Sequence, residues 1–321
     1  MNNVPEDFTP VMAQRVCSVL HCDPVDISGV TPIAEGLTNV SYVVEVAGQR
    51  YVYRHPGVAT KGLLNRAAEA EAEAIAFALG LDGTFIYIDP VEGWKLSHFV
   101  TVTEPFDYHS DAHVGIALAM ARNLHESGRV IEQDFDLGAQ TAKIRERLDW
   151  AQALARYPDL EELDDRANRL SVAVAPSCRP VLSHNDFYAP NILVTGDTCQ
   201  LIDWEYAGMN DYASDLGTFI ACSDYSVDQA KNVLDIYFGR SATAAEQAHC
   251  LSFVGLSAYY WFVWAINMEA NGESVGDWLE LWRQYSHDYG IVAEKLLKAE
   301  PAAASRQTAP ADYSLQEEFH G

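Results

Sequence analysis

Two neighbouring segments carry the side chains best suited to chemistry. The first reads Ser-His-Asn-Asp-Phe-Tyr-Ala-Pro-Asn from Ser183 to Asn191, and the second reads Leu-Ile-Asp-Trp-Glu from Leu201 to Glu205. Short apolar runs flank them, so their polar residues should lie on loops beside short strands. Asp and Asn in such loops also commonly cap helices and turns, so the chemistry depends on the two segments acting together.

Phosphoryl transfer requires this set of residue types. Its transition state needs positioning and charge neutralisation, with one carboxylate to accept or orient the attacking hydroxyl and oxygen ligands to hold Mg²⁺ on the phosphates. Asp186 suits the first role, and Asn191 and Asp203 suit the second. Four residues separate Asp186 from Asn191, as in the kinase catalytic loop, and Asp203 follows after one hairpin. We therefore predict His184, Asp186 and Asn191 as catalytic residues, Asn191 and Asp203 as metal ligands, and ATP and Mg²⁺ as cofactors.

The N-terminal third of the chain predicts a small sheet with one helix. Residues 41–54 form two strand-like runs around Ala47-Gly48, which indicates a hairpin. The Ala- and Glu-rich run 64–79 has high helix propensity and is closed by Gly80. Residues 84–89 and 94–103 are two further strand-like runs.

After about residue 104 the pattern becomes helical. Apolar residues three or four apart predict helices over 111–125, 139–156 and 160–174, and helices resume after the loop segments until about residue 298. We predict an α+β protein with an N-terminal ATP-binding lobe (1–103), a mainly helical C-terminal lobe (104–300) with the catalytic and acceptor residues, and a disordered tail (301–321). The length of 321 residues allows two lobes.

The order His-x-Asp in place of His-Arg-Asp, with Asp-Trp-Glu in place of Asp-Phe-Gly, resembles the aminoglycoside phosphotransferase and choline kinase superfamily, and bacterial choline kinases in particular. The resemblance spans roughly residues 33–290. It implies a protein-kinase-like bilobal fold, with an N-terminal antiparallel sheet plus helix, a hinge near residues 101–106 and a mainly helical C-terminal lobe.

The same resemblance implies a nucleotide site in the N-terminal lobe. It implies that the loop before the first predicted strand covers the phosphates through three residues: Gly36, Thr38 and Asn39. It also implies that Arg54 lies over the phosphates and that an acid of the next helix pairs with it. Glu69 matches the family register, and Glu71 remains an alternative.

Aromatic residues point to the acceptor. Trp261 and Trp264 lie three residues apart, and so on one face, in an uncharged helix spanning residues 251–268. The pair resembles the choline pocket of choline kinases, and aromatic faces bind quaternary ammonium groups. Aromatic residues at helical spacing are also common in cores. Further candidates for the pocket walls are Tyr206, Tyr225, Tyr260, Trp282 and Tyr285.

One residue departs from the choline kinase pattern. Choline kinases usually place a Glu seven residues after the Asp of the Asp215-Leu216-Gly217 segment, and this chain has Cys222 there. Asp224 could replace the missing charge. The expected acceptor is a small cationic alcohol, choline first, with ethanolamine, thiamine, methylthioribose, homoserine and aminoglycosides as alternatives. A catalytically inactive kinase fold that binds a ligand is the alternative from another class.

Composition limits the partners and the location. The formal charge of −25 repels nucleic acid and anionic lipid. The six cysteines include no Cys-x-x-Cys pair, and the N-terminus lacks the basic-then-apolar pattern of a leader, so we expect reduced thiols in the cytoplasm. Polar residues interrupt the run 251–268, which favours a buried helix over a membrane span. Oligomeric state is not predicted.

Overall fold

The N-terminal region is an antiparallel sheet with two helices. The computed structural model describes residues 5, 7–33, 39–57 and 64–299. Five strands pair in the order β1-β2-β3-β5-β4. The elements are α1 (Pro10–Leu20), β1 (Ile27–Ile33), β2 (Asn39–Val46), β3 (Gln49–Pro56), α2 (Arg66–Ala78), β4 (Phe85–Ile88) and β5 (Lys95–His98). The predicted hairpin 41–54 and the predicted helix 64–79 are confirmed as β2–β3 and α2.

Two elements of this region were not predicted from the sequence. Strand β1 contains Gly29 and Pro32, both of which weaken a strand signal, although Pro is tolerated on an edge strand such as this one. Helix α1 is capped by the side chain of Thr9. The loop that contains Gly36 therefore lies between β1 and β2 rather than before the first strand, and residues 34–38 lie outside the described residues.

Strand β5 is shorter than the predicted run 94–103. It ends at His98, and the chain then crosses to the C-terminal region as an extended linker. The backbone N–H of Phe99 still donates to Arg50 of β3, at 3.1 Å, whereas that of Thr103 donates to Val194, at 2.9 Å. The prediction of a strand to residue 103 was wrong because apolar residues of the linker face the neighbouring cleft and not a sheet partner.

The C-terminal region is mainly helical and includes two pairs of short strands. Strands β6 and β9 pair, as do β7 and β8. The elements are α3 (Asp111–Glu126), α4 (Leu137–Arg145), α5 (Trp150–Arg156), α6 (Leu160–Val174), β6 (Pro180–Ser183), β7 (Ile192–Thr195), β8 (Thr198–Leu201), β9 (Gly208–Asp211), α7 (Ala213–Ala221), α8 (Val227–Phe238), α9 (Ala244–Ala270) and α10 (Trp278–Ala299).

The predicted helix over 139–156 was wrong as a single element. The structure divides it into α4 and α5, with a break at residues 146–149. The side chain of Asp149 accepts a hydrogen bond from the backbone N–H of Gln152, at 3.1 Å, and so caps a new helix. The apolar periodicity alone does not reveal this change of direction.

Helix α9 is the core of the C-terminal region. It is long and apolar enough to span a membrane, but all of its most apolar 18-residue window is buried inside the protein. Helices α4, α6, α7 and α10 pack around it. The prediction of a buried helix over 251–268 is confirmed.

Close packing of α7 against α9 depends on Gly217. A Cβ atom at this position would lie 2.5 Å from the carbonyl oxygen of Phe253 and 2.7 Å from Oγ of Ser257. We expect Gly217→Ala to lower the free energy of unfolding by about 2 kcal/mol, because the α9 backbone must shift, as measured by urea denaturation. Gly115→Ala on α3 is the control, since a Cβ there meets nothing within 4 Å and Ala favours helix. Equal stability of the two variants would contradict this packing.

Candidate active site

A large cleft separates the sheet from the helical region. Its volume is about 970 Å³. Strands β2, β3 and β5 and the linker 98–102 form one side, and the loops after β6 and β8 form the other. Four tryptophans close one end of it: Trp261, Trp264, Trp278 and Trp282. The predicted residues Asp186, Asn191 and Asp203 all line this cleft.

The loop after β6 is held in a conformation that the chain would not adopt alone. Asn185 has a φ of 64°, in the left-handed region that non-glycine residues rarely occupy. Its amide Nδ2 donates to the carbonyl of Tyr206 at 3.1 Å, and its Oδ1 accepts from Nδ2 of Asn210 at 2.9 Å. These bonds determine the position of the following residue, Asp186. Sequence reasoning missed Asn185, although Asn is enriched at such backbone positions.

Asp215 holds the backbone of the same loop. Its Oδ2 accepts the N–H of His184 at 2.9 Å, and its Oδ1 accepts the N–H of Asn185 at 2.6 Å. Nε2 of His125 lies 2.9 Å from Oδ2. Burial would raise the pKa of the Asp215 carboxyl, but the hydrogen bond and charge of His125 outweigh it, so this pKa is lowered. Asp215 thus braces the catalytic loop.

His184 lies behind the loop and does not line the cleft. It is fully buried. Its Nε2 donates to the carbonyl of Ile202 at 3.0 Å, and its Nδ1 accepts the backbone N–H of Asp186 at 3.3 Å. Burial lowers the pKa of the imidazole, which favours the neutral form with this tautomer. The sequence placed His184 among the catalytic residues, but its contacts are those of a positioning residue.

Asp186 and Asn191 contact each other. Nδ2 of Asn191 donates to Oδ2 of Asp186 at 2.8 Å and to its backbone carbonyl at 2.9 Å. Burial, and next the nearby charge of Asp203, raise the pKa of the Asp186 carboxyl well above its usual range. A carboxyl with a raised pKa in a cleft has the character of a general base.

Carboxylates beside this pair form a group able to bind a hard cation. Ligand atoms of Glu69, Asp203 and Glu205 lie within 4.8 Å of one another. The backbone N–H of Ile202 donates to the carbonyl of Asn191 at 2.9 Å, which brings Asn191 next to Asp203. Oxygen ligands of this kind suit Mg²⁺. Glu205 was not among the predicted ligands, although its place in the Asp-Trp-Glu segment was a signal.

The predicted pair of Arg54 and an acid of α2 is present. The guanidinium of Arg54 contacts Glu69 on one side and Asp203 on the other. Glu71 is exposed, so the geometry selects Glu69 over it. Nδ2 of Asn39 donates to Oε2 of Glu205 at 2.9 Å, and Asn39 lines the cleft. The other two predicted loop residues, Gly36 and Thr38, lie outside the described residues.

A second buried cation, Lys95, lies next to Arg54 in the cleft. The two are directly opposite each other on β5 and β3. The ammonium of Lys95 contacts Glu73 and lies 3.7 Å from Asp82. Sequence reasoning missed Lys95, because only the strand register reveals that it faces the same way as Arg54.

The far end of the cleft is an aromatic cage. The rings of Trp261 and Trp264 lie 5.6 Å apart, those of Trp261 and Trp282 lie 5.9 Å apart, and those of Trp278 and Trp282 are stacked at 5.4 Å. The indole N–H of Trp282 donates to Sγ of Cys222 at 3.4 Å. Trp278 belongs to this cage but was not predicted, because its approach depends on how α10 packs on α9.

Of the four predicted tyrosines, two line a cavity and two do not. Tyr206 lines the cleft, whereas Tyr260 lines only a smaller neighbouring cavity. Tyr225 and Tyr285 line neither, because the ring of Tyr225 packs against Tyr108 and that of Tyr285 packs against Tyr289. The hydroxyl of Tyr225 donates to the carbonyl of Tyr108, and that of Tyr285 donates to the carbonyl of Tyr225 at 3.2 Å. Asp224 is also absent from the cleft lining as described, and its exposed carboxylate contacts His109 instead.

Comparison with known proteins supports this description. Residues 29–248 match the phosphotransferase enzyme family (APH). The chain is 24% identical over 279 residues to protein LicA of Haemophilus influenzae, which covers 83% of this chain and 80% of LicA. Choline kinase LicA from Streptococcus pneumoniae has the same fold, with a TM-score of 0.71 at 21% identity, over 90% of this chain and 98% of that one. A LicA structure in complex with AMP has a TM-score of 0.69 at 20% identity, over 92% of this chain and 99% of that one.

The predicted α+β, protein-kinase-like fold is therefore confirmed. The family match covers more than half of the chain and includes the catalytic loop, Asp203 and most of the described cleft. The chain belongs to the phosphotransferase enzyme family, and it is an enzyme that transfers a phosphoryl group from a nucleotide to an alcohol.

Proposed function

We propose that this enzyme is an ATP- and Mg²⁺-dependent choline kinase that converts choline to phosphocholine. The observation that carries the proposal is the cage of tryptophan rings in the same cleft as the carboxylate of Asp186. A quaternary ammonium held by the rings would leave its hydroxyl free to approach this base. The similarity to choline kinase LicA from Streptococcus pneumoniae supports the same acceptor.

In the proposed mechanism the residues of the cleft divide the work. Asp186 orients the hydroxyl and accepts its proton at a carboxylate oxygen. Asn191 and Asp203 would hold Mg²⁺, which neutralises charge on the phosphates when bound. Arg54, positioned by Glu69, contacts the phosphates. In this mechanism the residues act by positioning and electrostatic stabilisation, and no covalent intermediate forms on the protein.

The charges of the cleft favour a quaternary over a primary ammonium. Among the described residues, the carboxylates that line the cleft are Asp186, Asp203 and Glu205, and none belongs to the cage. Cys222 stands where a Glu would be expected, and its sulfur already accepts from Trp282. A trimethylammonium group has no N–H to satisfy, whereas ethanolamine or an aminoglycoside would bring N–H donors to a cage without carboxylates.

We expect Trp261→Ala to lower kcat/KM for choline about 30-fold, since loss of a desolvated cation–π contact costs about 2 kcal/mol. Trp261→Phe keeps an aromatic face and should lose less. The measurement is Mg²⁺-dependent ADP release with choline, ethanolamine, thiamine and kanamycin as separate acceptors. Trp150→Ala, which removes a tryptophan outside the cleft lining, is the control.

The outcomes separate the alternatives. Choline-dependent release that falls in Trp261→Ala but not in the control supports the proposal. Robust release only with ethanolamine, thiamine or kanamycin overturns choline and retains the phosphotransferase. Mg²⁺-dependent nucleotide binding without turnover on any acceptor would favour a catalytically inactive kinase fold.

The roles of the two lobes and the cellular location belong to the same proposal. Residues 1–103 form the ATP-binding lobe, and residues 104–300 form the catalytic and acceptor-binding lobe. The reaction takes place in the cytoplasm, where ATP and reduced thiols are available. The C-terminal segment 301–321, expected to be disordered, lies outside the described residues.

A further inference from the structure

A second cavity of about 230 Å³ lies next to the acceptor end of the cleft. It shares three lining residues with the cleft, namely Glu205, Tyr206 and Trp264. The two spaces are therefore neighbours that share these side chains as part of their walls. The mechanism proposed above makes no use of this second space.

The mouth of this cavity is cationic. Lys143, in the last turn of α4, and Arg147, one turn later, both line it and are both exposed. Within the ranges that the structure describes, neither has a carboxylate partner, and Nζ of Lys143 lies 3.5 Å from Oε1 of Gln140. In a chain with a formal charge of −25, two unpaired cations at one cavity mouth are a local attraction for an anion.

The inner end is aromatic and includes an unpaired amide. The rings of Phe135, Tyr206, Tyr260 and Trp264 line it. Asn267 also lines it and is only 8% exposed, yet its side-chain amide makes no hydrogen bond to the described part of the chain. The amide is therefore free to pair with water or with a polar group of a ligand in the cavity. Glu205 also lines this end, but burial raises its pKa to about 7 and it already accepts from Nδ2 of Asn39 at 2.9 Å.

The cavity thus changes from aromatic inside to positive at its mouth. We infer that it binds a zwitterion in which a quaternary ammonium is joined to a phosphate monoester, with the ammonium against the rings and the phosphate on Lys143 and Arg147. This ligand class is the product of the proposed function, on which the inference rests. Because Tyr206 and Trp264 line both spaces, we expect a product molecule held there to inhibit the enzyme even when the acceptor site is saturated.

The test compares two double variants with the wild-type enzyme. Lys143→Gln/Arg147→Gln removes both mouth cations, and Lys295→Gln/Lys298→Gln removes two exposed cations of α10 that line neither cavity. Calorimetric titration with phosphocholine should show two binding events per chain in the wild type and in the α10 variant. The mouth variant should lose one event. Its inhibition constant for phosphocholine at saturating choline should rise at least tenfold, with kcat unchanged.

Each other outcome counts against the inference. A single binding event in all three proteins overturns it. Inorganic phosphate that competes for the second event as well as phosphocholine does would make the site a simple phosphate site. Choline-dependent ADP release is measured on the same preparations: turnover with one binding event means that only the inference fails. No choline turnover means that the proposed function fails, and a second event that persists then marks a zwitterion site unrelated to product.

Discussion

Asp186→Asn is expected to lower kcat about 10³-fold and to leave the Kd for the Mg²⁺–nucleotide complex nearly unchanged. The substitution keeps the shape of the side chain and the hydrogen bond to Asn191 can be retained in part, but it removes the group that accepts the hydroxyl proton. The carboxylate is half-buried in the cleft, and burial and the charge of Asp203 raise its pKa.

The measurement pairs steady-state ADP release with calorimetric titration of nucleotide. Asp197→Asn is the matched control, because it removes one exposed carboxylate from the turn between β7 and β8. This control should retain wild-type turnover. Retained turnover in Asp186→Asn would exclude Asp186 as the base, and loss of nucleotide binding would place it in the metal site instead.

Asp215→Asn is expected to cost about 3 kcal/mol of the free energy of unfolding and to lower kcat as well. An amide has one acceptor oxygen where the carboxylate has two, so the N–H groups of His184 and Asn185 and the His125 ring cannot all be satisfied. Turnover should fall because the backbone that positions Asp186 loses its brace.

The control for this variant is Asp224→Asn. Asp224 also lies 2.8 Å from a histidine, His109, but this pair is exposed, with Asp224 75% exposed, and surface pairs contribute little. The pH dependence adds a second test. The pKa of Asp215 is lowered in the folded state, so its contribution is fully present above the usual pKa of aspartate and is lost as the pH falls. The stability difference between wild type and Asp215→Asn should therefore shrink in acid, and a difference independent of pH would contradict the charged role.

Local spacing was enough to predict that three of the proposed site residues lie together. Asp186, Asn191 and Asp203 lie on loops next to short strands, and a short loop with one hairpin leaves little freedom in how they meet. The same local patterns predicted the β2–β3 hairpin, α2, α6 and the buried helix 251–268, because apolar periodicity over one element reflects the face that it buries. Arg54 and Glu69 were found by family register.

Residues that depend on packing between distant elements could not be found in this way. The position of His184 behind the loop and the hydrogen bonds of Asn185 depend on Asp215 and on residues near β9, about 20 to 30 positions later in the chain. Lys95 faces the cleft because of its register against β3.

The aromatic cage shows most clearly which features follow from local sequence and which depend on packing between distant elements. The sequence indicated that aromatic residues of α9 and α10 could form a pocket, because Trp261 and Trp264 share one helix face. Which other rings join them was decided by the packing of α10 on α9, which brings Trp278 into the cage and leaves Tyr285 outside it. Helical periodicity specifies which face of a helix is apolar, but the neighbour that covers this face is specified by contacts between residues far apart in the chain.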